Sequence, residues 1–469
     1  NHSSLTLSGP VNHCSQHQGD HVGVAARRVP PLLKEPNRDC TFCIMEGAPS
    51  VSWDFMEYRS RVLDMVLDDL MPGLPAIALD GPKGVGKTAT ASRRASRTWA
   101  LDSESQRAIV AAEPSRVAGS GTTFIDEWQH VPTVWDVVRR AVDDGAQPAS
   151  FLLAGSATPK PRAPIHSGAG RIVSLRMRPM ALCERVGANP TVSLNALLRG
   201  KAGALSGDTP AGLDHYAHEI AASGFPGIHG LPERLRRMQL DGYLQRLASK
   251  ELRTEDDPVL RRPETLMSWL RSYASAESTT TTYEKIRNAA AIGDGTPPNR
   301  PTTLRYRDWL TSMWLLDPVP PWRPLGISLG ALASSPRHQL ADPALSLRLL
   351  SGSARSLLQG RDDVVLPGCA PLFGRLFEAL ATLTVRVCAQ VSDAVVSHLR
   401  TKRGDHEIDL IVEGPERELL AIEVKLASAI GDDDVRHLDW LRGRLGSRLT
   451  DALVVTTGPA AYRRRDGIG

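Results

Sequence analysis

Gly81-Pro-Lys-Gly-Val-Gly-Lys87-Thr88 fills every fixed position of the G-x-x-x-x-G-K-[ST] phosphate loop. The apolar run Pro75-Ala-Ile-Ala-Leu-Asp80 precedes it and the helix-compatible stretch Ala89 to Ala100 follows it. Strand, glycine-rich turn and helix in that order specify an α/β nucleotide-binding sheet. Gly81, Pro82, Lys83, Gly84, Val85 and Gly86 make the turn, whose N–H groups point inward with the helix N-terminus at phosphate oxygens. Lys87 reaches the β and γ oxygens, and Thr88 offers its hydroxyl to Mg²⁺. ATP and Mg²⁺ are the expected ligands.

Hydrolysis needs a second, acidic position at the end of a neighbouring strand. Thr122-Thr-Phe-Ile-Asp126-Glu127 supplies it, with Asp126 expected in the Mg²⁺ shell and Glu127 beside the attacking water. A third strand, Ser150-Phe-Leu-Leu-Ala154, runs into Gly155-Ser156-Ala157-Thr158. Ser156 is therefore a candidate sensor of the γ-phosphate or the water.

The stretch from Ile125 to Glu184, with DEWQHVPTVWDVVRRAVD, FLLAGSATP, HSGAGRI and RMRPMALCE, resembles a family of bacterial and archaeal AAA-type ATPases that carry a C-terminal domain of unknown function. The resemblance extends over most of the chain from about Trp53 onward. It implies a parallel P-loop sheet and an Arg near the start of the fifth core strand that acts on a neighbouring subunit's nucleotide. Arg171 stands at that place, with Arg162 as a rival, and the arrangement implies a homo-oligomer.

At 469 residues the chain has room for about three domains. Its 56 basic and 52 acidic residues leave a net charge of only +4, so any nucleic-acid surface has to be local. No apolar run approaches the ~18 residues that a membrane span requires. Cys14, Cys40, Cys43, Cys183, Cys369 and Cys388 show no disulfide spacing, and the simple reading is a cytoplasmic protein without membrane contact.

Residues 1–50 are rich in Gly, Pro, Ser and His, lack hydrophobic periodicity, and read as a disordered extension, a leader or a misjudged start. They contain His13, Cys14, His17, His21 and the pair Cys40 and Cys43, a weak zinc pattern because a structural site ordinarily shows two close ligand pairs. A helix from Trp53 to Leu70 is expected to pack on the nucleotide core, and the ATPase module (51–230) to end near Gly224-Phe-Pro-Gly227. Residues 231–345 read as a helical lid or winged-helix region: a helix, a turn, a second helix with Arg305, Tyr306 and Arg307, and the short apolar wing Leu315 to Val319. Such a module either contacts DNA through its second helix or serves as a lid or protein contact.

Residues 346–469 present a third pattern. A helix from Phe373 to Gln390 bearing Glu378 is followed by strands Val395 to Arg400, Glu407 to Val412 and Leu419 to Lys425, a helix from Asp432 to Leu445, and a strand from Asp451 to Thr456. That order resembles the PD-(D/E)xK nuclease core, a restriction-endonuclease-like α/β domain. Period-two alternation sends Glu423 and Lys425 to one sheet face. Asp409 and Glu423, with Glu378, are the expected divalent-metal ligands, and Lys425 the group that stabilises developing charge. Such a site either cuts nucleic acid or, as a noncatalytic module, only binds it or a protein partner.

Overall fold

The computed structural model describes residues 41–42, 58–155, 168–185, 191–251, 262–291, 296–324, 329, 332–333, 335–359 and 371–469. Ser156, Arg162 and the candidate zinc ligands His13, Cys14, His17, His21, Cys40 and Cys43 lie outside these residues. Within the stretch expected to be a disordered extension, Thr41–Phe42 forms a short strand paired antiparallel with Val192–Ser193.

Five parallel strands build the nucleotide-type sheet: β1 (Ala76–Asp80), β2 (Arg97–Ala100), β3 (Thr123–Asp126), β4 (Phe151–Gly155) and β5 (Val173–Arg176). Their spatial order is β2-β3-β4-β1-β5. The central strands are almost wholly apolar because both faces are covered. Ile77, Leu79, Phe124 and Leu152 pack with Leu63, Val66 and Leu67 of the helix Val62–Leu70. The alternate residues Ala76, Ala78, Ile125 and Leu153 pack with Val134 and Val138 of the helix Thr133–Asp143. Register places Asp80 beside Gly155 and Arg176, and Asp126 beside Ala154, so three chemistry-bearing strand ends share one edge.

Two helix boundaries differ from the sequence reading. The helix after the phosphate loop runs only from Lys87 to Ser92, and Arg97–Ala100 is the outer strand β2. Pairing of Arg97 to Ala100 with Thr123 to Asp126 outweighs helix propensity, since an unpaired β3 would leave buried backbone groups unsatisfied. Arg94, between the end of that helix and β2, pairs with Asp64 at 2.7 Å. The preceding helix starts at Val62, with Arg61 extended (φ −106°, ψ 149°) at its N-cap.

The middle of the chain contributes helices Leu213–Ala222, Glu233–Arg246, Pro263–Ser275, Tyr283–Ala289 and Arg300–Ser312. Antiparallel bridges Leu316↔Leu340 and Val319↔Arg337 follow. Trp269, Tyr273, Tyr306 and Leu310 share one apolar core with Val85 of the phosphate loop and with Phe225.

The last portion follows the expected order closely: helix Leu372–Ala389, β6 (Val395–Arg400), β7 (Glu407–Glu413), β8 (Leu419–Val424), helix Asp432–Leu445 and β9 (Leu449–Val455). The sheet is mixed, in the order β9-β8-β7-β6, with β8 and β9 parallel and the other neighbours antiparallel. One helix covers each face. The core beneath Leu372–Ala389 also takes in Leu182, Leu194, Leu197, Tyr216 and Ile220, and Gly207–Asp208 pairs with Ala460–Ala461. Among the described residues no helix is long and apolar enough to cross a membrane.

Candidate functional site

The phosphate loop is shaped by close backbone approach. A Cβ on Gly81 would stand 2.2 Å from the Met177 carbonyl oxygen, so only glycine fits there. Gly84 (φ +83°) and Gly86 (φ +105°) hold left-handed conformations that open the loop toward the helix at Lys87. Val85 is fully buried and anchors the loop in the core, while Lys83 is exposed at its rim.

Lys87 is buried to 5 % exposure, and its ammonium donates to the carbonyls of Gly81 (2.7 Å) and Pro82 (3.0 Å). It thus lies folded into its own loop. Burial pushes it down to about 8, against the pull of Glu127 and Asp126. Thr88 Oγ1 donates to Asp126 Oδ2 at 2.7 Å, which joins the loop directly to the end of β3. Burial raises the Asp126 carboxyl and the Thr88 hydroxyl lowers it.

Glu127 leaves β3 in a left-handed conformation (φ +50°), which is uncommon for a residue with a Cβ and a frequent mark of functional turns. Its N–H donates to Asp126 Oδ1 at 3.1 Å, and Gln129 Nε2 donates to its carboxylate. Gly155 at the end of β4 faces this turn, for a Cβ there would come within 2.9 Å of Trp128 Nε1. The structure therefore brings Gly81 to Thr88, Asp126 and Glu127 to one edge, with the β4 end adjacent.

Arg171 stands apart from that group. Its Nε pairs with Asp143 at 2.8 Å, another of its nitrogens donates to the Ala169 carbonyl, and its side chain is 46 % exposed. Tyr306, which the sequence reading put with Arg305 and Arg307 on the second helix of the middle region, is a fully buried core residue whose hydroxyl donates to the Arg262 carbonyl at 3.4 Å. Arg307 lies over the Tyr283 ring at 5.0 Å, and Arg305 is exposed.

Sequence reasoning missed Arg61. Its guanidinium donates to the Val85 carbonyl (2.9 Å) and the Arg178 carbonyl (2.7 Å) and pairs with Glu184 at 3.2 Å. Glu184 in turn accepts from the Val62 and Ala181 N–H groups. A residue twenty positions upstream thereby holds the back of the phosphate loop, and no spacing rule announces it.

In the last sheet Glu378, Asp409, Glu423 and Lys425 do converge. An irregular register between Ile408 and Ile411 re-aims Asp409, whose Oδ2 accepts from the Val424 N–H at 2.8 Å. Lys425 lies 3.5 Å from Glu423, which burial and Asp409 push well above the usual carboxylate range. The unforeseen member is Arg337, 2 % exposed, whose guanidinium pairs with Glu378, Asp409 (2.8 Å) and Glu407. Among the described residues no group of three or more His, Cys, Asp or Glu is arranged to hold a metal ion.

Residues 74–186 match the family described as an AAA domain. Residues 213–356 match a domain of unknown function (DUF8612), and residues 373–468 a second one (DUF4143). No curated protein matches the chain. Among solved structures the chain is similar to the Walker-type ATPase PABY2304 of Pyrococcus abyssi, at 16 % identity over 65 % of this chain and 99 % of that one, with a TM-score of 0.38. The family match, the parallel sheet and the loop geometry make residues 74–186 a P-loop domain of ATPase type.

Proposed function

We propose that the chain is a Mg²⁺-dependent ATP hydrolase. The observation that carries the reading is the 2.7 Å contact between Thr88 Oγ1 and Asp126 Oδ2 at the mouth of a complete phosphate loop. A hydroxyl and a carboxylate at that place are the oxygen donors a hard divalent cation takes, so the residues fit Mg²⁺. When bound, Mg²⁺ neutralises charge on the β- and γ-phosphate oxygens. The loop amides and Lys87 hold the phosphates, with Lys87 exchanging the Gly81 and Pro82 carbonyls for phosphate oxygens. Glu127 orients the attacking water or takes its proton. Arg171, exposed, is the group we assign to a neighbouring subunit's nucleotide in a homo-oligomer.

The test is ATP turnover by purified full-length protein with Mg²⁺. Lys87→Ala should abolish nucleotide binding, and a variant that hydrolyses ATP at the parent rate would remove this reading.

Coupling to DNA is the finer proposal, with Arg305 exposed on the helix Arg300–Ser312 as its point of contact. A second reading, an ATPase switch whose last domain is a noncatalytic binding module, is favoured by the position of Arg337 among Glu378, Glu407 and Asp409. ATP turnover measured with and without duplex DNA separates the two: stimulation supports coupling, and indifference supports the switch.

A further inference from the structure

The resemblance to the nuclease core implies a divalent ion among Glu378, Asp409 and Glu423, and the cluster as folded does not accommodate one. The guanidinium of Arg337 lies against Asp409 Oδ1 at 2.8 Å and pairs with Glu378 and Glu407. It fills the space where those carboxylates face one another. Octahedral Mg²⁺ needs oxygens at about 2.1 Å on all sides, and here Glu378 and one oxygen of Asp409 are turned to Arg337 while the other oxygen of Asp409 is turned to the Val424 N–H.

We infer that Arg337 is the resident cation of this cluster, so that the last domain takes a side chain from the middle of the chain where a nuclease core would take a metal. Two observations converge on it. The position is fixed by backbone, because Arg337 and Val319 exchange both N–H···O bonds at 2.9 Å. The acidic groups are held by basic side chains: Glu378, Glu407 and Asp409 pair with Arg337, Glu423 lies 3.5 Å from Lys425, and Arg400 stands 3.7 Å from Glu407.

The planar fork of arginine suits several carboxylates at once, which a point charge on lysine does not. The arrangement makes the cluster a socket. It joins the bridge Val319↔Arg337 to the helix carrying Glu378 and to β7, and a metal gains entry only when Arg337 leaves.

Mn²⁺ uptake by full-length protein without nucleotide, measured by calorimetry, tests this. The parent should show no uptake that depends on Asp409. Arg337→Met should gain about one equivalent of Mn²⁺, and Arg337→Met with Asp409→Asn should lose it again. Mn²⁺ uptake by the parent that Asp409→Asn abolishes overturns the inference, and so does a folded Arg337→Met that takes up none. Should Arg337→Met fail to fold, thermal melting of the parent decides: Mn²⁺ or a chelator should leave it unmoved, and an Asp409-dependent shift of several degrees overturns the assignment. ATP turnover is a separate readout, so failure here leaves the P-loop reading untouched.

Discussion

Asp80, the residue immediately before the phosphate loop, is the register partner of Arg176 on the adjacent parallel strand β5. Arg176 stacks on Trp314 at 4.2 Å and reaches Asp317 at 3.5 Å, and Asp317 also pairs with Arg178 (2.7 Å) and Arg386 (3.0 Å). The nucleotide edge is thus one strand from a buried junction at which the sheet, the middle helices and the helix Leu372–Ala389 meet. The three arginines hold the Asp317 carboxyl far below the usual range despite its burial.

Glu127 is expected to separate binding from turnover. Glu127→Gln keeps the size and the left-handed turn while removing the carboxylate, so ATP should bind within a few-fold of the parent and turnover should fall by about 10² to 10⁴. Equilibrium nucleotide binding beside steady-state hydrolysis checks this. Equal turnover in parent and variant would take Glu127 out of the chemistry.

Nucleotide affinity should fall as pH rises through 8. The free protein's Lys87 is pushed down to about 8 by burial, and bound phosphates stabilise its charged form, so above pH 8 the complex holds a proton that the free protein has released. ATP affinity should therefore weaken toward tenfold per pH unit between about pH 8 and 9.5. Lys87→Arg, which stays charged, should show a flatter profile, and a flat profile in the parent would contradict the burial argument.

Arg61 is expected to act on both stability and the loop. Arg61→Met leaves Glu184 buried without its partner, a loss of about 3–5 kcal/mol in denaturant unfolding. Adding Glu184→Gln should recover much of that stability. It should not recover ATP affinity, because the bond from Arg61 to the Val85 carbonyl is still missing. Recovery of both would make Arg61 purely structural.

The Glu277 carboxyl is expected to make alkaline pH destabilising. It is fully buried, accepts from Ser346 Oγ and the Leu340 N–H, and burial pushes it up to about 8. A carboxyl whose folded value exceeds its unfolded value contributes stability at low pH that is lost as pH rises from about 4.5 through 8, at up to ~1.4 kcal/mol per unit. Glu277→Gln should therefore gain on the parent steadily across that window. A constant difference in unfolding free energy from pH 5 to 8 would show that Glu277 is charged in the folded protein.

What was legible in the sequence was local. Gly81 to Thr88, Asp126 and the element order from Leu372 to Val455 are written in spacing, alternation and turn residues within short windows. What was not legible depends on pairing at a distance. The stretch Ala89 to Ala100 has a helix-compatible composition, yet β3 requires a partner and recruits Arg97 to Ala100. Tyr306 sits between arginines in a polar helix, and only the packing of Trp269 and Tyr273 shows that it faces inward. Arg61 and Arg337 act on groups up to 123 and 72 positions away, separations at which no pattern in the chain distinguishes them from surface arginines.

The core beneath the helix Leu372–Ala389 is filled from two distant stretches of chain, and Ala460–Ala461 completes a ribbon with Gly207–Asp208. Excising the last 120 or so residues would expose Leu376, Phe377 and Leu380 on one piece and Leu194, Leu197 and Ile220 on the other. Fragments cut at sequence boundaries would be sticky rather than independent, and inactivity in such a fragment would report misfolding before it reported chemistry. The intact chain should melt cooperatively across this seam, which makes point substitutions, and not truncations, the instrument for assigning work to either side of it.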